Sequence, residues 1–127
     1  MAKRILIIDD DFDFTEAISR LLESKGYKVL SANNGSDGLD LAKKENPDLI
    51  LLDVMMDTDT EGFDIARKLH QDSQTTNVPV IIVTGIRREM NISFGFEPDD
   101  KLLPVRKVLE KPLKPEVLLE VIAENII

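Results

Sequence analysis

Asp48-Leu49-Ile50-Leu51-Leu52-Asp53, continued by Val54-Met55-Met56, decides how this chain is read. Four aliphatic residues in a row, bounded by turn formers, describe a strand buried on both faces of a sheet. The run closes on a carboxylate, and burying one unpaired costs several kcal/mol or more. Asp53 is therefore expected at the C-terminal lip of the strand, within reach of water, a cation or a lysine. Open α/β sheets keep their chemistry at that lip.

Working outward, Lys3 to Ile8 reads as a strand that runs into Asp9-Asp10-Asp11. Asp13 and Glu16 have capping-box spacing, and Phe14, Ile18, Leu21 and Leu22 mark the apolar stripe of a first helix ended by Gly26. Tyr27 to Leu30 is a short, mixed strand. Asn33-Asn34-Gly35-Ser36 opens a second helix with Leu39, Leu41 and Ala42 inward and Lys43-Lys44 in its last turn; Asn46-Pro47 stops it. Beyond Asp53, an acidic loop runs through Gly62. A third helix follows from about Phe63 to Gln71, burying Ile65, Ala66 and Leu69 and leaving His70 exposed among polar neighbours. Val80 to Thr84 is another buried strand. Gly85 to Pro104 is irregular, with Phe94 and Phe96 expected to plug the core, and a short or displaced helix is expected there. Val105 to Leu109 is a fifth strand, ending at Glu110-Lys111-Pro112. Pro115 suits the first turn of a last helix with stripe Leu118, Val121, Ile122 and Ile126.

Alternating strands and helices give an α/β domain with a parallel sheet and right-handed crossovers. The continuous aliphatic runs, strands one, three and four, belong in the middle. Lys28 in strand two, and Arg106 and Lys107 in strand five, suit the edges. The order 2-1-3-4-5 meets both demands and is the flavodoxin-like doubly wound five-stranded sheet with helices on both faces. Its switch point lies between strands one and three, both of which end in aspartates.

Composition narrows the function. The 127 residues are expected to form a single domain, residues 1–127, with ordinary apolar (43%) and charged (31%) fractions. There is no cysteine, which excludes disulfides and thiol nucleophiles. No apolar run approaches the roughly 20 residues of a membrane span, and no signal region precedes the first strand, so a cytoplasmic, non-membrane protein is expected. A net charge of −8 argues against direct nucleic-acid binding.

Asp9, Asp10 and Asp53 would crowd three carboxylates into one site, where a divalent cation or protonation relieves their repulsion. All-oxygen ligation suits Mg²⁺. Thr84 ends strand four and offers a hydroxyl, while Lys111 ends strand five and offers a cation. A metal, a hydroxyl and an ammonium together hold a phosphoryl group, and a carboxylate can be its nucleophile. Asp53 is the expected acceptor.

Ile7-Ile8-Asp9-Asp10, Leu51-Leu52-Asp53-Val54-Met55-Met56, Val83-Thr84-Gly85 and Lys111-Pro112 resemble, in order and over essentially the whole chain, the receiver domain of two-component response regulators of the chemotaxis-regulator type. The resemblance implies phosphorylation of Asp53 by a phosphohistidine on a histidine kinase or histidine phosphotransfer protein. It further implies Mg²⁺ bound directly by Asp10, through water by Asp9, and by the backbone carbonyl of Met55. Thr84 and Lys111 would contact the phosphoryl group, Gly85 would fill the family's small-residue position, and the Lys111-Pro112 peptide would be cis. Output would pass to a downstream protein partner or a second copy through the region Thr84 to Lys111. Such a domain catalyses only its own phosphorylation and dephosphorylation, as a switch rather than a turnover enzyme. With the last helix at the chain's end, a stand-alone receiver is expected.

The chain departs from the family in three places. Met56 is followed by Asp57 where the family has proline, Val108 stands where a switch aromatic is usual, and the span from Thr84 to Lys111 is long. Two other readings use some of the same residues. Asp11-Phe12-Asp13-Phe14-Thr15 matches the D-x-D-x-T of haloacid-dehalogenase-like phosphatases, with Asp11 as nucleophile, but it starts past the strand end and gives Asp53 no role. A pseudo-receiver, which binds and is never phosphorylated, would not need the full set of acceptor, acidic pair, threonine and lysine. Flavin binding lacks a phosphate loop.

Overall fold

The sheet has the order β2-β1-β3-β4-β5, all neighbours parallel, in a computed structural model that describes residues 2–53, 61–84, 105–110 and 113–126. The strands are β1 (Arg4–Ile8), β2 (Lys28–Ala32), β3 (Leu49–Asp53), β4 (Val80–Thr84) and β5 (Val105–Glu110). The described helices are α1 (Phe12–Ser24), α2 (Gly35–Glu45), α3 (Glu61–Gln71) and α4 (Pro115–Asn125). This is the doubly wound, flavodoxin-like arrangement expected from the pattern of aliphatic runs. The irregular span after Gly85, with Phe94 and Phe96, lies outside the described residues.

Period-two alternation of the strand side chains sorts the core into two layers. Leu6, Ile8, Ile50, Leu52, Val80 and Ile82 pack on one face with Ala42 of α2 and Ile65, Ala66 and Leu69 of α3. Ile5, Ile7, Leu49, Leu51, Ile81 and Val83 pack on the other with Ile18 and Leu22 of α1 and Leu118, Val121 and Ile122 of α4. Every residue of β3 is buried, whereas β2 is exposed at Lys28 and Ser31, half-buried at Val29 and Leu30 and buried only at Ala32, as suits an edge strand.

Local chemistry fixes the helix ends, in part differently from expectation. The N-cap of α1 is Asp11, whose carboxylate accepts the Phe14 N–H at 3.0 Å. The Asp13–Glu16 pair, which has capping-box spacing, already lies inside the helix. Asn34 caps α2 by accepting from the Asp37 N–H at 2.8 Å, and Asn46, at φ 49°, ends it in the left-handed region before Pro47. Gly26, at φ 91°, turns the chain out of α1. Gly38 lets α2 lie against the sheet: a Cβ there would sit 2.6 Å from Ile8 Cδ1. His70 is half-buried rather than exposed. Its Nδ1 is buried without a hydrogen-bond partner among the described residues.

Candidate functional site

Parallel pairing of β1 with β3 matches Ile8 to Leu52, so the next residue on each strand is an aspartate. Asp9 and Asp53 thus leave the sheet side by side, 2% and 4% exposed, while Asp10 points to solvent. One carboxylate oxygen from each of Asp9, Asp10 and Asp53 lies within 4.8 Å of the others. This is the convergence expected at the switch point.

The strand ends are held by backbone bonds. The Asp9 N–H donates to Ala32 O of β2 at 3.0 Å, extending the ladder one residue past β1. The Asp9 carboxylate accepts the Asp11 N–H at 2.8 Å. Asp11 is exposed, and its own carboxylate is engaged by the first turn of α1. That placement removes it from the role of a buried nucleophile, against the phosphatase reading.

The donor set fits a hard divalent cation. Three carboxylates at this spacing repel one another, and Mg²⁺ accepts oxygen ligands while keeping several waters, which the exposed side of Asp10 admits. No metal is inferred elsewhere among the described residues, where this is the group of acidic or nitrogen ligands close enough to share an ion. A groove of about 790 Å³ opens beside it, between α1 and α2, lined by Thr15, Glu16, Asp37, Asp40 and Lys44.

The remaining expected residues are placed less fully. Thr84 ends β4, paired with Glu110 at the end of β5, so its backbone stands at the same edge of the sheet as Asp53, which pairs with Val83. Val108 lies on β5 opposite Ile82. Met55, Gly85, Lys111 and the Lys111-Pro112 peptide lie outside the described residues. The sequence reading missed the Asp11 cap and its bond to Asp9. The available signal was an Asp between a strand end and an apolar helical stripe, which the Asp13–Glu16 spacing obscured.

Residues 5–123 match the family model described as the response regulator receiver domain. The Pseudomonas aeruginosa protein PilH is 40% identical over 119 residues, covering 94% of this chain and 93% of PilH. The DNA-binding transcriptional regulator RpaA of Synechocystis is 36% identical over 91% of this chain, which spans only 48% of RpaA's length. A CheY-like receiver domain protein from Methanospirillum hungatei superposes with a TM-score of 0.82 at 31% identity, covering 98% of this chain and 93% of that one.

Proposed function

The chain belongs to the response regulator receiver domain family of two-component signalling, and on that premise we propose that it is a phosphoacceptor switch working through Asp53. The donor is a phosphohistidine of a histidine kinase or a histidine phosphotransfer protein. The observation that carries the reading is the convergence of Asp9, Asp10 and Asp53 within 4.8 Å at the lip of the sheet.

Mg²⁺, held by Asp9, Asp10 and Asp53 with the Met55 carbonyl, would offset the negative charge of the acceptor and the incoming phosphoryl group. A carboxylate oxygen of Asp53 forms a bond to phosphorus as the phosphorus–nitrogen bond to the donor histidine breaks. The electron pair stays on the imidazole nitrogen, which takes up a proton. Burial of Asp53 among aliphatic neighbours excludes bulk water from one side of the product. In this reading Thr84, at the end of β4, supplies a hydroxyl to the phosphoryl oxygens, Lys111, next in sequence after β5, supplies an ammonium, and Gly85 takes the family's small-residue position. Contacts made only with the phosphoryl group favour a second arrangement of the face from Thr84 to Lys111, and a partner or a second copy reads it. In this reading the protein turns over no substrate other than its own acyl phosphate, and it acts in the cytoplasm. No helix among the described residues is long and apolar enough to cross a membrane.

Intact mass after incubation with acetyl phosphate and Mg²⁺ tests the reading. One added phosphoryl group is expected on the wild type and on Asp11→Asn, and none on Asp53→Asn. An adduct that survives in Asp53→Asn and is lost in Asp11→Asn would hand the chemistry to the phosphatase alternative. No adduct at all, with Mg²⁺ bound, would make the domain a pseudo-receiver.

A further inference from the structure

We propose that Asp11 is a positioning residue for this site: by capping α1 with its carboxylate it aims its own backbone N–H at Asp9, and so holds the Asp9 carboxylate in place for a divalent cation. The inference rests on the metal site of the reading above and adds a residue that touches neither metal nor phosphoryl group.

Asp11 is fixed from three directions. Its carbonyl accepts the first helical bond, from the Thr15 N–H at 3.0 Å, and its Oδ1 accepts the Phe14 N–H at 3.0 Å. Its backbone is extended, at φ −86° and ψ 103°. With the carbonyl and the side chain both committed to α1, the remaining backbone group, the N–H, has one direction, and it meets Asp9 Oδ1 at 2.8 Å. Asp9 is itself tied at its own N–H to Ala32 O. A carboxylate is planar, so a fixed Oδ1 on a fixed backbone also fixes the second oxygen. Charge-assisted bonds of this length are the strong ones, and loss of such outer partners weakens metal affinity by roughly 10–100-fold.

Truncating Asp11 leaves its N–H in place and removes what aims it, so the expected loss is smaller than that full range. The charge of Asp11 is a separate matter, because the residue is exposed; Asn and Ser keep the cap without the charge.

Mg²⁺ titration calorimetry on the whole chain separates these effects. Asp11→Ala is expected to bind about three- to tenfold more weakly than wild type, with Asp11→Asn and Asp11→Ser within about twofold. Asp11→Gly, which stabilises helix starts nearly as well as a cap but has no side-chain acceptor, should behave like Ala and covers the case in which Ala unfolds. Asn34→Ala, which removes the equivalent cap from α2, should leave Mg²⁺ affinity at the wild-type value. In ¹H–¹⁵N spectra the amide proton of residue 11, referred to the random-coil shift of the residue present, should move upfield in Ala and Gly and keep its wild-type displacement in Asn and Ser. Wild-type affinity in both Ala and Gly overturns the proposal. So does equal weakening in Asn and Ala, which would leave only a charge effect, or equal weakening in Asn34→Ala, which would leave only helix stability. A wild type that takes up no Mg²⁺ removes this proposal and the metal site together. Mg²⁺ binding without an adduct on Asp53 sinks the phosphoacceptor reading alone.

Discussion

Asp9 and Asp53 each stand one residue beyond the Ile8–Leu52 pair, so the register of two central strands sets the distance between two buried carboxylates. Nothing in either residue's own surroundings requires the other. The aliphatic ladder behind them does, and it brings like charges together at the point where a cation is most strongly held.

Mg²⁺ should therefore stabilise the folded chain by mass action. At a concentration tenfold above its dissociation constant the gain is about 1.4 kcal/mol, or roughly 5 °C in melting temperature for a domain of this size. Asp10→Asn should abolish most of that shift. An equal shift in Asp10→Asn, read by thermal melts with and without chelator, would mean that the cation binds elsewhere.

Gly38→Ala should destabilise the protein by about 1–2 kcal/mol even though alanine is the better helix former by about 1 kcal/mol. The added methyl would meet Ile8 Cδ1, Cγ1 and Cγ2 at 2.6, 2.7 and 2.9 Å, and Ile8 is wholly buried. Urea unfolding measures it; a stabilised variant would show that α2 can lift from the sheet at no cost.

At the opposite end of the sheet, Asp48 and Arg4 clamp the starts of β3 and β1. The Arg4 N–H donates to Asp48 Oδ2 at 2.8 Å, and the Asp48 N–H donates back to Arg4 O at 2.8 Å. Asp48→Ala should cost about 1–2 kcal/mol by leaving the half-buried N–H without its acceptor. Its Mg²⁺ affinity should be unchanged, because the clamp is a strand's length from the site. A variant that lost metal binding at full stability would contradict that separation.

The pH dependence of stability should carry the signature of Asp72. The Gln74 backbone N–H, at 2.8 Å, and Lys43 of α2, at 3.2 Å, hold its carboxyl below the ordinary value of 3.8. A carboxyl depressed by folding stabilises the native state at pH values above its unfolded pKa, and that contribution is lost as the pH falls through the lower, folded value. Asp72→Asn should thus lower stability at pH 7 and flatten the loss below about pH 4. Denaturant midpoints at pH 7 and pH 3 test this, and an unchanged difference between the two would refute it.

Much of this molecule was legible because burial leaves a strong mark on sequence. β4 spans the expected Val80–Thr84, and the edge positions of β2 and β5 followed from Lys28, Arg106 and Lys107. What escaped were features that depend on one contact. Asp13 has the capping-box spacing to Glu16, yet it is Asp11, two residues earlier, that meets the Phe14 N–H and caps α1. Gly38 carries no pattern of its own until Ile8 lies beneath it. His70 has polar neighbours in sequence, yet it lies four residues after the buried Ala66, on the same side of α3, and is drawn partly under cover with it.

The strand order also constrains how the chain can be made. Of the five strands of this sheet, β1 is synthesised first, yet in the finished sheet it lies between β2, reached at residue 28, and β3, reached at residue 49. Until residues 49–52 have emerged, Ile5-Leu6-Ile7-Ile8 keeps a row of unpaired backbone groups along one side of a wholly aliphatic strand. A nascent or truncated chain that stops short of β3 is therefore a sheet with a sticky edge, prone to pair with other chains. The same stretch that seats the acidic site in the folded domain makes fragments that stop short of β3 prone to aggregate.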